Sequence, residues 1–217
     1  MIRLKALGVG PMANFAYLLA DPSARECAVV DPGWDPDALA RAAAGEGWRI
    51  TAVLLTHHHF DHSNGLEDLL QAAPAPVFVH RADAEAFKGK VKDLREVRDG
   101  DILPIGKGKV EFLHTPGHTR GSQCLRIENH LLTGDTLFIG GCGRVDLPDS
   151  DPDDMFQSLR RIAGLPGTLT VWPGHAYGTC AGGAGPGALL SSEVATNPCL
   201  RTAREGREAF LTMLGVT

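Results

Sequence analysis

Four histidines and one aspartate stand within six residues in the segment LLTHHHFDH, at residues 54–62. Imidazole and carboxylate groups are ligands that zinc and iron accept, whereas calcium prefers an all-oxygen shell. Burying so many imidazoles without partners would be costly, which disfavours a group of ordinary core or surface histidines. The cluster therefore predicts a transition-metal site. Its members are His57, His58, His59, Asp61 and His62.

The spacing within the cluster suggests how the five side chains divide. In an extended segment alternate side chains project to the same side, so His57 and His59 would face one point and His58 the opposite side. A turn before Asp61 would bring Asp61 and His62 to a neighbouring point. This arrangement suits two metal ions that share one loop. We expect His58 to support the ligands or to face solvent.

Three further candidate ligands follow apolar segments later in the chain. His118 and His175 each stand in a Pro-Gly-His turn, and Asp135 follows a strand and a glycine. A single histidine in a turn is more often structural, but a strand end is also where a rigid scaffold can aim a ligand. With the loop they make seven potential ligands. His80, His114 and His130 have no such context, and we expect them to be strand-end or surface residues.

The elements that must position these residues alternate strand and helix in the first half of the chain. Apolar runs at 15–20, 27–33, 50–56 and 77–80 predict strands, and the third would deliver the histidine cluster at its C-terminal end. Residues 35–47 predict a helix with Asp35 as its cap, Pro36 in its first turn and Gly45 as its stop. Residues 63–73 predict a second helix.

The second half begins with short strands joined by glycine-rich turns. Strands are predicted at 99–105, 109–115, 122–128, 130–140 and 168–175, and a helix at 151–164. Residues 178–192 are rich in glycine and alanine and predict a flexible loop or lid after His175. The tail from residue 191 is expected to become helical. Mixed strands and helices indicate one layered α/β domain over residues 1–217.

Composition excludes several classes of protein. The net charge of −5, without a run of lysine or arginine, argues against a nucleic-acid partner. No apolar stretch is long enough to span a membrane, and glycines and a proline interrupt the apolar start, which disfavours a signal peptide. The five cysteines are odd in number and form no C-x-x-C pair, so we expect free thiols and a cytoplasmic location.

The ordered motifs THHHFDH, PGHT, GDTLF and PGHAY resemble those of the metallo-β-lactamase superfamily. Within it, the chain is most similar to the glyoxalase II-like group, in its shorter bacterial form. The resemblance extends from AVVDPG at residues 28–33 to ATNPCL at residues 195–200. It implies a four-layer αβ/βα sandwich with a metal site at one edge, between the two sheets.

The resemblance also implies a division of the ligands between two divalent metal ions, zinc or iron. The first ion would be held by three histidines, the second by Asp61 and two histidines, and Asp135 would bridge both. The implied histidine sets are His57, His59 and His118 for the first ion and His62 and His175 for the second. A bridging hydroxide would attack the carbonyl carbon of a thioester, oriented by Asp61. Cys142, close to the site in sequence, is then expected to have a packing role.

The segment GGCGRVD at residues 140–146 resembles the same group and implies a small-molecule substrate, an S-acylglutathione. Arg144 and Tyr177 match positions that contact glutathione, although an ordinary surface salt bridge explains an arginine equally well. The larger relatives carry a C-terminal helical segment that is absent or much reduced here, so the substrate could be another thioester. No oligomeric state is predicted.

Three alternatives remain from the sequence. A persulfide dioxygenase has a similar GCGR segment and would use a single iron, held by His57, His118 and Asp135, to oxidise glutathione persulfide with O2. A non-catalytic metal-binding module is a second alternative, although such a relative would usually have lost ligands. β-Lactam hydrolysis is a third, disfavoured because those enzymes usually carry a cysteine at the position of Asp135.

Overall fold

Two six-stranded sheets form the centre of the protein in a computed structural model, which describes residues 1–177 and 186–216. The first sheet has six strands in chain order: β1 (Arg3–Val9), β2 (Asn14–Asp21), β3 (Glu26–Val30), β4 (Arg49–Leu54), β5 (Val77–His80) and β6 (Leu94–Val97). β1 pairs antiparallel with β2 and β2 with β3, whereas β3, β4, β5 and β6 pair in parallel.

The second sheet has the order β14-β13-β10-β9-β8-β7. Its strands are β7 (Ile102–Ile105), β8 (Gly108–His114), β9 (Gln123–Ile127), β10 (His130–Gly134), β13 (Thr170–Pro173) and β14 (Ala188–Leu189). Strands β10 and β13 pair in parallel. A separate hairpin joins β11 (Leu137–Phe138) to β12 (Gly141–Cys142).

Seven α-helices and a 3-10 helix (Ala84–Phe87) complete the described part of the chain. They are α1 (Pro36–Gly45), α2 (Phe60–Ser63), α3 (Leu66–Ala72), α4 (Pro152–Ala163), α5 (Leu190–Thr196), α6 (Pro198–Glu205) and α7 (Arg207–Leu214). No helix in the described ranges is long and apolar enough to cross a bilayer.

Three apolar cores stack through the molecule and confirm the four-layer sandwich. Helices α1 and α3 cover the first sheet, the second core fills the space between the sheets, and α4, α6 and α7 cover the second sheet. Strand β2 shows why its sequence is almost continuously apolar: Leu18 enters the outer core, and Leu19 enters the core between the sheets. A strand covered on both faces needs apolar residues on both.

The helix predicted at 63–73 is wrong in its boundaries and continuity. The structure has a one-turn helix α2, which contains Asp61 and His62, and a separate helix α3 that starts at Leu66. Gly65 lies at the break, where a Cβ would stand 2.5 Å from the Pro32 carbonyl oxygen. The close approach of these two segments requires glycine and separates the helices.

Other predicted boundaries also change. Residues 188–192 are not a loop, because they form β14 and the start of α5, whereas residues 178–185 lie outside the described ranges. The strand predicted at 130–140 divides into β10 and β11, with Asp135 in the turn between them. The helical tail is confirmed. Asp35 caps α1 as predicted, through a bond from the Ala38 amide, but Gly45 is the last helical residue and not the stop.

Candidate metal centre

The predicted ligands converge at one edge of the sandwich because most of them follow parallel strands. His57 and His59 follow β4, Asp135 follows β10 and His175 follows β13. His118 lies in the turn between β8 and β9. The C-terminal ends of parallel strands meet at the same edge of a sheet, which brings distant sequence positions together.

The ligand atoms of the first group, His57, His59 and His118, lie within 4.8 Å of one another. The His118 Nε2 atom is 2.9 Å from His59 Nδ1, and the rings of His57 and His118 are 5.0 Å apart. Three imidazole nitrogens that converge in this way form a half-shell for a metal ion.

A second group consists of Asp61, His62 and His175, and its ligand atoms also lie within 4.8 Å of one another. The Nε2 atoms of His62 and His175 are 3.1 Å apart, and Asp61 Oδ2 is 3.2 Å from His175 Nε2. Asp61 and His62 reach this position from α2 and not from the turn that we expected.

Asp135 stands between the two groups. Its Oδ2 atom is 3.4 Å from His118 Nε2 and 3.3 Å from His175 Nε2, and its Oδ1 atom is 3.3 Å from His62 Nε2. One carboxylate therefore contacts a histidine of each group, as a bridging ligand would.

Two buried polar atoms in the centre have no hydrogen-bond partner among the described residues: His57 Nε2 and Asp135 Oδ1. Unpaired buried polar atoms cost free energy, and they are rare in folded proteins. Metal ions bound to both groups would satisfy them. The donor set of imidazole nitrogens and carboxylate oxygens suits zinc or iron. The residues present therefore fit the two ions that the sequence predicts.

The electrostatics of the first group favour neutral imidazoles. Burial, and next the neighbouring His62, lower the pKa of His57 well below its ordinary value. Burial and His118 lower the pKa of His59 to about 4. Neutral imidazoles have a free lone pair at neutral pH, which is the form that binds metals.

Charged forms are favoured instead at Asp135 and in the second group. Burial opposes ionisation of Asp135, but the nearby imidazoles, His62 first, outweigh it and hold the pKa of Asp135 well below its ordinary value. Burial also opposes charge on His175, yet hydrogen bonds to Asp135 and Asp61 raise its pKa to about 9. The carboxylates of this group thus stabilise positive charge, whether a proton or a metal ion supplies it.

Asp31 supports the second group, and sequence reasoning did not find it. It follows β3, its Oδ2 atom is 3.0 Å from His62 Nδ1, and it accepts hydrogen bonds from the backbone and hydroxyl of Thr56 at 2.8 and 2.6 Å. A carboxylate on Nδ1 fixes the histidine tautomer and leaves Nε2 free for a metal. The sequence signal that could have identified Asp31 is its position at the end of the predicted strand that becomes β3, the neighbour of β4.

The other ligands have similar supports. The backbone carbonyl of Arg144 lies 2.9 Å from His118 Nδ1, and that of Met12 lies 2.8 Å from His175 Nδ1. Asn14, also missed from the sequence, donates to Asp61 Oδ2 at 2.8 Å. These contacts orient each ligand before any metal binds.

His58 points away from both groups, as predicted. Its Nδ1 atom and its backbone nitrogen each lie 3.0 Å from Asp83 Oδ2, and the hydrogen bond to Asp83 raises the pKa of His58. Asp83 also accepts hydrogen bonds from Thr119 and Gly121, at 2.8 and 2.7 Å. This buried carboxylate, not singled out from the sequence, ties the His57 loop to the His118 loop.

The remaining histidines lie at strand ends, as expected. His80 ends β5 and its ring stacks on that of His114, at the end of β8, with 3.8 Å between the ring centroids. His130 begins β10, and its Nδ1 atom accepts a hydrogen bond from Trp172 at 3.1 Å.

An open cavity of about 760 Å³ gives access to the centre, and ligands from both groups line it. Tyr177 stacks on His175 at its edge, with 4.4 Å between the ring centroids. Arg144 also lines this cavity, but its guanidinium is bonded to Asp146 at 2.8 and 2.9 Å, and both side chains are exposed. The two predicted substrate contacts thus lie beside the centre, and Arg144 now makes the surface ion pair that was its alternative interpretation.

Cys142 lines the same cavity and packs against the third core. A hydrogen bond to Cys199 and burial raise the pKa of the Cys142 thiol. A thiol in this state is a poor nucleophile, which agrees with the packing role predicted for it.

Comparisons with known proteins agree with this geometry. A family model described as the metallo-beta-lactamase superfamily matches residues 9–175. The chain is 35% identical over 167 residues to the probable polyketide biosynthesis zinc-dependent hydrolase BaeB of Bacillus velezensis, which covers 76% of this chain and 74% of that protein. It is 42% identical over 166 residues to a hydroxyacylglutathione hydrolase of Ectopseudomonas mendocina, covering 76% of this chain. The chain spans 62% of that relative's length.

Among solved structures, ETHE1 from Myxococcus xanthus superposes with a TM-score of 0.85 and 26% sequence identity. The match covers 98% of this chain and 90% of that one. The predicted fold and the predicted resemblance are therefore both confirmed.

Proposed function

The chain belongs to the metallo-β-lactamase superfamily, and we propose that it is a cytoplasmic metal-dependent hydrolase that cleaves thioesters of the S-acylglutathione type. The observation that carries the proposal is the position of Asp135 between two complete ligand groups. The free cysteines among the described residues suit a reducing compartment.

We assign one ion to His57, His59 and His118, a second to Asp61, His62 and His175, and Asp135 to both. Two divalent cations, zinc or iron, would supply the Lewis acidity that activates water and polarises a carbonyl at neutral pH. The zinc-dependent relative BaeB supports zinc as the metal.

The chain's own residues would position the reactants. Asp61 is partly exposed to the cavity and held by Asn14, so it can orient the attacking water as well as bind a metal. Water adds its oxygen to the thioester carbonyl carbon, the carbon–sulfur bond breaks, and the thiolate leaves and takes up a proton from water. A thiolate is a good leaving group, so no separate acid is required.

The substrate class rests on the cavity and on the relatives. Tyr177 and Arg144 line the wall beside the ligands, and the Arg144 guanidinium is suited to a carboxylate of glutathione. Its present partner Asp146 is exposed, and exposed ion pairs are weak, so a substrate carboxylate can replace it. The hydroxyacylglutathione hydrolase at 42% identity supports the same substrate class.

The test combines metal analysis with thiol release from S-lactoylglutathione. We expect two metal ions per chain and turnover that a chelator abolishes. Asp135→Ala should lose activity by at least about a hundredfold, since Asp135 is the ligand that we assign to both ions. Asp93→Ala, which removes an exposed carboxylate that belongs to neither ligand group and does not line the cavity above them, is the control. Full activity in the Asp135 variant would refute the assignment.

A persulfide dioxygenase is the second candidate, because His57, His118 and Asp135 form a facial set of two histidines and one carboxylate that suits a single iron. The structural likeness to ETHE1 is consistent with it. Oxygen uptake with glutathione persulfide, together with one iron per chain, would establish this activity. Thiol release by the zinc-loaded protein without oxygen would exclude it as the principal reaction.

A further inference from the structure

A second cavity, of about 490 Å³, lies next to the histidine-rich segment at residues 57–62. Helix α3 contributes Leu66 and Leu70 to its wall, and the 3-10 helix contributes Ala86 and Phe87. We call this cavity the α3 groove. Its volume is in the range of pockets that hold small organic ligands, and its walls are mostly apolar.

Phe60 connects the α3 groove to the metal-centre cavity, because its side chain lines both. Its ring is 70% exposed and meets Trp34 edge-on, with 6.0 Å between the centroids. His58, between two proposed metal ligands in the chain, also lines the groove. A substrate held at the metal centre can therefore extend across Phe60 into the groove. Contact with an apolar ligand would explain an exposed phenyl ring at this point.

The charges along the groove are predominantly positive. Lys90 and Lys92 both line it, and Glu67 is the acidic residue of the lining. The Lys90 ammonium donates to the Ala86 carbonyl at 2.9 Å, a neutral acceptor that leaves its charge uncompensated. An occupant that combines an apolar body with a negative end would match both the walls and this charge.

We propose that the α3 groove binds the acyl half of the thioester substrate, and that this half is an apolar acyl chain ending in a carboxylate. The inference rests on the proposed thioesterase function and specifies its substrate. The thiol half then lies on the opposite side of the metal centre, against Tyr177 and Arg144. The scissile carbonyl lies between the two halves.

The test compares three glutathione thioesters: S-acetyl, S-hexanoyl and S-adipoyl. Four added methylenes that become buried favour binding, since each methylene contributes free energy on leaving water. We expect kcat/KM to rise at least about tenfold from acetyl to hexanoyl and to rise again for adipoyl, which adds the carboxylate.

Two variants separate the walls from the charge. Ala86→Phe would fill the groove and should lower kcat/KM for the hexanoyl thioester about tenfold while leaving acetyl unchanged. Lys92→Glu, at an exposed position, should remove the advantage of adipoyl over hexanoyl. Ala163→Phe, which lines a different cavity with Arg160 and Arg204, is the matched control and should change none of the three.

The outcomes distinguish this inference from the function on which it rests. Equal kcat/KM for acetyl, hexanoyl and adipoyl thioesters, or an equal loss on all three in Ala86→Phe, would overturn the groove assignment and leave the thioesterase intact. If Lys92→Glu keeps the preference for the adipoyl thioester, the proposal that the groove recognises a carboxylate at the end of the acyl chain is refuted. Failure to hydrolyse any of the three by the metal-loaded protein would overturn both the groove assignment and the proposed function.

Discussion

Asp31 provides a direct test of whether the second ligand group binds a metal. The buried carboxylate contacts His62 Nδ1 at 3.0 Å and accepts two hydrogen bonds from Thr56. Asp31→Asn keeps the size of the side chain but removes its charge and replaces one acceptor oxygen with an amide donor. The new amide nitrogen donates and cannot accept, so it cannot replace the Oδ2 atom that accepts from the Thr56 hydroxyl and faces His62 Nδ1, and His62 loses its orientation or its tautomer.

The size of the effect follows from these contacts. A hydrogen bond to a charged group contributes about 1.5–3 kcal/mol, and loss of a carboxylate behind a metal-binding histidine typically weakens metal affinity about 10- to 100-fold. We expect a loss in that range at the group that contains His62. The group formed by His57, His59 and His118 should lose less affinity, because Asp31 contacts it only through the Thr56 hydroxyl, which lies 3.1 Å from His57 Nδ1.

The assay is a competition titration of zinc against a chromophoric chelator, with the two binding steps resolved. Asp21→Asn is the matched control, because Asp21 is also a buried carboxylate with three hydrogen bonds, from Ser23 and the Lys107 amide. The control should destabilise the protein without weakening either step. Unchanged zinc affinity in a folded Asp31→Asn protein would refute the supporting role of Asp31.

Three further predictions concern the surroundings of the centre. Gly174→Ala places a Cβ 2.3 Å from Asp135 Oδ1, so metal content and thioester hydrolysis should both fall at least about tenfold; normal values would contradict the packing. Asn197→Ala removes a helix cap and two donors to carbonyls of the 138–141 segment, and urea titration should show a loss of about 2–4 kcal/mol. Burial lowers the pKa of His80 to about 4. Between about pH 6.5 and 4 the unfolded chain therefore binds a proton at this residue and the native state does not, so the free energy of unfolding falls as the pH drops from about 6.5 to 4. His80→Asn should lessen that loss by about 1 kcal/mol, and parallel pH curves for the two proteins would disprove it.

The sequence predicted the candidate ligands better than their supports. Five of the seven predicted ligands follow apolar strands or turns, where residue type and spacing give a readable signal. Asp61 and His62 were found by residue type but were assigned to a turn, whereas they lie in the short helix α2. The break at Gly65 that separates α2 from α3 involves a close approach to the Pro32 carbonyl, which only the folded chain shows.

Single polar residues without spacing gave no such signal. Asp31, Asn14 and Asp83 are each one buried polar group with a partner far away in the chain: Thr56 for Asp31 and His58 for Asp83, at 25 residues, and Asp61 for Asn14, at 47 residues. The four-layer arrangement was likewise implied by the family resemblance, whereas the residue pattern alone indicated a layered α/β domain. Residues 186–189 contain no long apolar run, so the pairing of β14 with β13 was not predictable from periodicity.

The supports also bear on the choice between hydrolase and dioxygenase, which differ in whether the second group has a function. A single iron would need only His57, His118 and Asp135. Yet every member of the second group is held by a partner in the interior: Asp31 beside His62, Asn14 beside Asp61, and the Met12 carbonyl beside His175. A buried polar network is stable only when its members are satisfied, and an apolar cluster would fill the same space without that requirement. Supports of this kind are expected behind histidines and carboxylates that bind a metal, so they favour the two-ion assignment proposed above, and the Asp31 variant tests the same argument.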